Sequence, residues 1–238
     1  MRIAATLRRA LTRLRMRRLQ HLPIGAAFDE IYRQGIWSQS KGEPSGGGSY
    51  GDLADRYVDA VLGYIRERGV RSVLDIGCGD FNIGARIAPH VEAYYAYDVS
   101  AEIIDRNRLR FENLANVEFR CANACSDALP RADLVTVRQV LQHLTNAQIA
   151  DILRNVDRTG APHVLVTEHA LDYSRPNALR PNLDLPSHSA GTRIALGSSV
   201  VLSAPPFLRK TRTFASFPLD AGPDTCGERL ETIWLTMS

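Results

Sequence analysis

The sequence holds almost no lysine. Lys41 and Lys210 are the only two among 29 basic residues, so arginine carries nearly all of the positive charge. Arginine favours planar, two-pronged contacts with anions, and a GC-rich genome gives the same bias. Acids are missing from residues 1–28, which hold Arg2, Arg8, Arg9, Arg13, Arg15, Arg17 and Arg18. The other 210 residues hold 22 basic and 26 acidic groups, so the net +3 belongs to a basic leader on a mildly acidic body. An acidic body disfavours long nucleic acids, which require a basic face. Cysteine is sparse, and Cys78, Cys121, Cys125 and Cys226 form no C-x-x-C pair and no cluster with zinc-ligand spacing. They read as reduced, core-filling thiols of a cytoplasmic protein, with no metal site. No apolar run approaches the ~18–20 residues of a membrane-spanning helix, and the leader lacks the apolar stretch of a secretory signal. The 45% hydrophobic content excludes collagenous, coiled-coil and wholly disordered chains.

Ile3, Leu7, Leu11 and Leu14 recur at helical spacing among the leader's arginines. Three readings stay open for residues 1–20: a loosely helical extension, a helix lying on an anionic membrane surface, or a contact with a phosphate-rich partner or the body itself. Residues 1–28 are expected to form this extension and 29–238 one domain. Within that domain, 29–50 reads as a lid segment ending in a Gly-rich loop (41–51). Residues 170–206, with five prolines and no clear period, read as an insertion on the substrate side.

The body alternates strand and helix. Gly51–Gly69 reads as an amphipathic helix and Ser72–Ile76 as a buried strand. Asn82–Pro89 reads as a short helix and Ala93–Tyr97 as a second strand. Ser100 caps a helix carrying Ile103, Ile104, Phe111 and Leu114. Val117–Ala122 and Ala132–Val137 read as strands. Thr145-Asn-Ala-Gln148 fits a capping box for a helix that stops at Gly160, and Val164–Glu168 reads as a fifth strand. Thr211–Phe217 and Leu230–Thr236 suit a closing antiparallel pair. Short Val/Leu/Ile strands alternating with helices imply a mostly parallel sheet covered on both faces. The expected fold is therefore α/β and Rossmann-like: a doubly wound, seven-stranded, mostly parallel sheet with a C-terminal antiparallel strand.

The strongest motif is Val73-Leu-Asp75-Ile-Gly77-Cys78-Gly79-Asp80, at the first strand-to-helix turn. Gly77 and Gly79 allow a tight turn and a close approach of ligand to backbone, and the following helix start offers free amides. Asp98 ends the second strand, where an acceptor-only carboxylate can take both hydroxyls of a ribose. A nicotinamide dinucleotide fits poorly. Asn82 stands where the G-x-G-x-x-G pattern needs a small residue, and Asp75 would oppose a pyrophosphate. A cationic ligand without phosphate suits the site.

VLDIGCGD resembles the first motif of class I S-adenosylmethionine-dependent methyltransferases, and the resemblance covers about residues 50–170. It implies S-adenosyl-L-methionine as cofactor, held by Asp75, Gly77, Cys78, Gly79, Asn82, Asp98 and Val99. RCANACSD resembles the adenine-contacting segment, which adds Asn123 and Ala124. RQVLQHL resembles the substrate-facing motif after strand four. IYRQGIW, SGGGS, CGDFN and NLDL…APPF are similar to a bacterial subgroup acting on small molecules and saccharides. Gln139 departs from it, since relatives are expected to carry an acid there. The resemblance implies Asn182, Asp184, Arg193 and Phe207 as pocket residues.

Among catalytic candidates, His143 lies past strand four, where an imidazole near its ordinary pKa can accept a hydroxyl proton. Arg138 can hold an anionic group or pair with a core acid, and Glu168 with His169 forms a second candidate pair. Trp37 and Ser45–Ser49 can fold over the cofactor. The expected reaction is methyl transfer to a small-molecule acceptor, a hydroxyl of a sugar or secondary metabolite. Nucleic-acid methylation recruited by the leader and a non-catalytic cofactor-binding regulator remain the alternatives. Oligomeric state has no signal in the sequence.

Overall fold

The computed structural model describes residues 19–38, 43–175, 178–219 and 228–235. Most of the Arg-rich leader, with its expected helix and membrane contact, lies outside the described residues. No described helix is long and apolar enough to cross a membrane.

The chain forms helix α1 (Ile24–Gln34), a one-turn 3-10 segment (Gly47–Ser49) and helix α2 (Gly51–Arg68) before the first strand. Strand β1 (Ser72–Ile76), short helix α3 (Gly84–Ile87), β2 (Ala93–Asp98), α4 (Ala101–Arg110) and β3 (Val117–Cys121) follow. Next come β4 (Leu134–Arg138), a 3-10 turn (Leu141–His143), α5 (Asn146–Thr159) and β5 (His163–Ala170). A second 3-10 turn (Arg193–Leu196), β6 (Thr211–Pro218) and β7 (Arg229–Leu235) complete the order. The seven strands lie in the order β3-β2-β1-β4-β5-β7-β6. The first five pair in parallel, and β7 runs antiparallel to both β5 and β6.

Central strands β1 and β4 are buried along nearly their whole length, as expected where helices cover both faces. Alternate residues of β1 go to opposite sides. Val73 packs with Tyr57, Val61 and Tyr64 of α2, whereas Leu74 and Ile76 pack with Ile149, Ile152 and Val156 of α5. The local signals for the helices are realised. The Ser100 hydroxyl accepts the Ile103 amide at the start of α4. Thr145 and Gln148 form the reciprocal capping box of α5, and Gly69 and Gly160 close α2 and α5 in the left-handed conformation.

Helix α1 was not anticipated, and it runs through the boundary expected at residue 29. Its buried side chains, Ala27, Phe28, Ile31 and Tyr32, form one stripe at helical spacing. Asp29 fastens it to the sheet edge by accepting the Ser100 hydroxyl (2.7 Å) and the Glu102 amide (3.0 Å) at the start of α4. The helix expected at Asn82–Pro89 is reduced to one α-turn and one 3-10 turn, because the chain first passes through Phe81 at φ +62°.

Candidate functional site

One cavity of about 550 Å³ runs along the carboxyl ends of β2, β1, β4 and β5. This is where ligands of open α/β sheets bind. Asp75, Gly77, Cys78, Gly79, Asp98, Val99, Asn123, Ala124, Arg138 and His143 all line it. Asn82 does not: its side-chain amide donates to Ser49 O at 2.6 Å and so holds the Gly-rich loop.

At the first turn, Gly77 (φ +77°) and Gly79 (φ +54°) are left-handed. A Cβ at 77 would collide with the Val140 side chain, and one at 79 would lie 2.7 Å from Ser45 Oγ. Asp98 crosses from β2 to fix this turn, accepting the Gly79 amide at 3.1 Å through Oδ2 and the Ser100 amide at 2.9 Å through Oδ1. Burial raises its pKa to about 6, against the pull of those amides, so it is mainly a carboxylate at neutral pH. The Cys78 thiol is pushed well up by burial and then by Asp98, Asp75 and Asp80, which suits a spacer and not a nucleophile. Asn123 shapes the next wall segment, its Oδ1 accepting the Cys125 amide at 3.0 Å.

Asp75 does not project freely into the turn. Its carboxylate accepts hydroxyls from Tyr94 (2.9 Å) and Thr136 (3.0 Å) within the sheet. Burial nonetheless raises its pKa. Arg138 shares that face, with its guanidinium 4.7 Å from the Tyr57 ring centroid and Nη2 donating to Gly48 O. Its Nε is buried and unpartnered among the described residues, and burial lowers its pKa. Of its two readings, pairing with a core acid takes the form of an electrostatic pull from Asp75 and Glu168, with no salt bridge to Arg138 among the described residues.

The Gly-rich loop packs against this region. Ser45 Oγ accepts the Asp80 amide at 3.1 Å, and Tyr50 donates its hydroxyl to Asp80. Gln139 sits at φ +55° with its amide against Gly48, where a Cβ would clash with it. That left-handed conformation is uncommon outside glycine, asparagine and aspartate, and such outliers cluster at functional sites.

The far end of the cavity is aromatic. Trp37 lies over the His143 ring (centroids 4.8 Å apart, planes 36°), and Phe28 meets both. Trp37 Nε1 donates to Ala190 O at 2.9 Å. His143 Nδ1 lies 3.1 Å from both Ser189 O and Gly191 O. Those carbonyls can only accept, so Nδ1 carries the proton and Nε2 is left as an acceptor, 3.5 Å from the Gln142 side-chain amide. Contrary to expectation, the ring is far from its ordinary pKa. Burial lowers it to about 4, against the pull of the two carbonyls, and His169 adds to the drop.

Glu168 and His169 are not a pair. Consecutive strand residues point to opposite faces. Glu168 turns to the loop after β4 and accepts the amides of Leu141 (2.6 Å) and Gln142 (3.3 Å), with burial raising its pKa to about 8. His169 turns to the cavity, its Nδ1 bonded to Glu228 and its Nε2 lying 2.8 Å from Gln139 Nε2.

Asn182, Asp184 and Arg193 of the insertion, and Phe207 just after it, also lie outside the cavity lining. Asn182 stitches the insertion to itself through Val201 and Pro205, and Asp184 accepts the Asn146 amide. Arg193 is fully buried and donates to Leu183 O and Leu144 O. Phe207 packs against the core on the α5 side of the sheet. The insertion instead contributes Ala190 and Thr192 to the wall. Tyr32, Phe28 and Thr136 are lining residues that motif reading missed. The IYRQGIW segment was a signal for Tyr32, but neither Phe28 nor Thr136 stands in a distinctive motif. Among the described residues no cluster of His, Cys, Asp and Glu could hold a metal ion.

Comparison with known proteins agrees with this geometry. Residues 74–163 match a family model described as a methyltransferase domain. An uncharacterized methyltransferase of Mycobacterium bovis is 32% identical over 99 residues, which cover 41% of this chain and 50% of that protein. The chain thus spans about half the length of the curated relatives it matches. Among solved structures, the N-methyltransferase NodS from Bradyrhizobium japonicum in complex with S-adenosyl-L-homocysteine superposes with a TM-score of 0.58. It is 17% identical, over 88% of this chain and 100% of that one. The N-terminal domain of EvdMO1, solved in the presence of S-adenosylhomocysteine and D-fucose, gives 0.53 at 16% identity over 88% and 96%. The glycine turn, the carboxylate that ends β2 and the sheet order thus lie within or beside the segment from Leu74 to His163 that matches a methyltransferase domain, and the fold is that of solved S-adenosylhomocysteine-bound methyltransferases.

Proposed function

We propose that this chain methylates a hydroxyl of a small molecule, a sugar or related metabolite, with S-adenosylmethionine as cofactor. The observation that carries this reading is the single cavity joining the Asp98–Asn123 end to the His143–His169 end. The residues present fit the cofactor: two glycines bare the backbone, and Asp75, Asp80 and Asp98 make the wall acidic, which favours a cationic ligand. When bound, the cofactor supplies a methyl group already activated on a sulfonium.

The chain's own residues bind, align and exclude water. Asp98 takes the ribose hydroxyls, while Val99, Asn123 and Ala124 flank the adenine. Gly77, Cys78 and Gly79 present backbone to the amino-acid end. Asn82 supports from behind by holding Ser49. The lid, tied to Asp80 and Arg138, shields the reacting centre. Trp37 and Phe28 offer flat faces to an acceptor, and His143 Nε2, its tautomer fixed by two carbonyls, accepts from a second hydroxyl of the acceptor, one that is not methylated, and orients it. Arg138, with Nε unpartnered, is placed to receive an anionic group of the acceptor. Alignment of this kind is worth up to ~7–11 kcal/mol in well-oriented systems.

The acidic body and the enclosed, aromatic far end support a small acceptor over a nucleic acid. The test is incubation of the full chain with S-adenosylmethionine and UDP-glucose, GDP-mannose and dTDP-rhamnose, with product mass spectrometry. An O-methylated sugar is expected. Methylation of added RNA with every sugar left unmodified would overturn the assignment.

A further inference from the structure

We propose that His169, backed by Glu228, takes the proton of the acceptor hydroxyl. This rests on the hydroxyl methylation proposed above.

Two imidazoles reach the cavity, and their surroundings differ. His143 donates Nδ1–H to neutral carbonyls and stacks on Trp37, so a second proton on that ring meets no opposite charge. His169 has a carboxylate at Nδ1. An ionised carboxylate accepts only, so Nδ1 carries the ring proton and Nε2 presents its lone pair. That lone pair takes a hydrogen bond from the Gln139 side-chain amide at 2.8 Å. Gln139 is also the residue held at φ +55° on the cavity wall. The Gln139 amide thus occupies the position an acceptor O–H would take on Nε2, and it can donate to the acceptor oxygen once displaced.

The sheet arranges these groups in sequence. Asp98 ends β2, Asp75 lies on β1, Arg138 ends β4, His169 stands near the end of β5, and Glu228 immediately precedes β7. The dyad therefore sits beyond Arg138 as seen from the Asp98 end, on the acceptor's side of the reacting methyl. In the step, the acceptor oxygen bonds the methyl carbon while the carbon–sulfur bond breaks and leaves its electron pair on sulfur. The hydroxyl proton passes to His169 Nε2. The imidazolium keeps its Nδ1 proton facing Glu228, and water later removes the transferred one. His169 is then a catalytic residue and Glu228 a positioning residue.

The test uses the full chain saturated with S-adenosylhomocysteine and labelled with ring-¹⁵N histidine, with His169→Gln identifying the signal by its loss. The expected spectrum shows His169 protonated at Nδ1 and bare at Nε2, and Glu228→Ala removes that tautomer preference. A ring protonated at Nε2, or one indifferent to Glu228→Ala, overturns the proposal. In parallel, kcat is measured on whichever nucleotide-sugar the wild type methylates. His169→Gln is expected to lower kcat by ~100-fold or more with S-adenosylhomocysteine affinity unchanged, and imidazole is expected to restore part of the rate to His169→Gly. Full activity in His169→Gln overturns the dyad alone. Absence of any O-methylated product in the wild type overturns the hydroxyl reading and the dyad with it.

Discussion

The Asp98 carboxylate accepts the backbone amide of Gly79 at 3.1 Å, although 19 positions separate the two residues. One side chain thereby fixes the turn at the end of β1, and in the proposed function its remaining lone pairs take the ribose hydroxyls. Asp98→Ala removes both the brace and the acceptor. Hydrogen bonds to a charged group contribute ~1.5–3 kcal/mol each, so S-adenosylhomocysteine affinity is expected to fall ~100-fold or more by calorimetry, with the far-ultraviolet spectrum unchanged.

Gly77→Ala tests the turn itself. The residue stands at φ +77°, and a Cβ there runs into Val140. The left-handed backbone alone costs an alanine ~1–2 kcal/mol. The thermal midpoint is expected to drop by several degrees and cofactor affinity to fall with it. An unchanged midpoint would show that the turn relaxes without cost.

Motif reading and local caps found the β1 turn, the Ser100 and Thr145 caps and the first five strands, because those signals lie within short stretches of chain. What it missed depends on distant closure. His169 and Glu228 are 59 positions apart and meet only because β7 pairs antiparallel with β5. Asn82 lies beside the glycine turn in sequence but is drawn to Ser49 by a Gly-rich loop that precedes the sheet. Helix α1 escaped notice because its apolar stripe is brief, with Pro23 just before it and Gly25 inside it.

Arg193 joins the insertion to the loop carrying His143. It is fully buried and donates to Leu183 O and Leu144 O. Arg193→Met leaves one buried and one half-buried carbonyl without that partner, an expected loss of ~2–4 kcal/mol. At this chain length that corresponds to roughly 4–16 °C in Tm. Differential scanning calorimetry reads the change.

Glu168 and His143 give opposite pH dependences. The Glu168 carboxyl is raised from 4.5 to about 8, so the folded state holds a proton that the unfolded state has lost between those values. Its contribution to stability is full below about pH 4.5 and lost as pH rises through about 8. His143 is lowered from 6.5 to about 4, so the unfolded state gains a proton first. That contribution is full above about pH 6.5 and lost as pH falls toward 4. Urea midpoints across pH are expected to show the alkaline loss flattened in Glu168→Gln and the acid loss flattened in His143→Gln. Variants that keep the wild-type slopes would contradict these assignments.

The most direct test of the cofactor assignment is calorimetry of the full chain with S-adenosylhomocysteine, with nicotinamide adenine dinucleotide as the comparison ligand. Saturable one-to-one binding of S-adenosylhomocysteine in the micromolar range, with no heat from the dinucleotide, is the expected result. No binding of S-adenosylhomocysteine at millimolar concentration, or preferential binding of the dinucleotide, would contradict it.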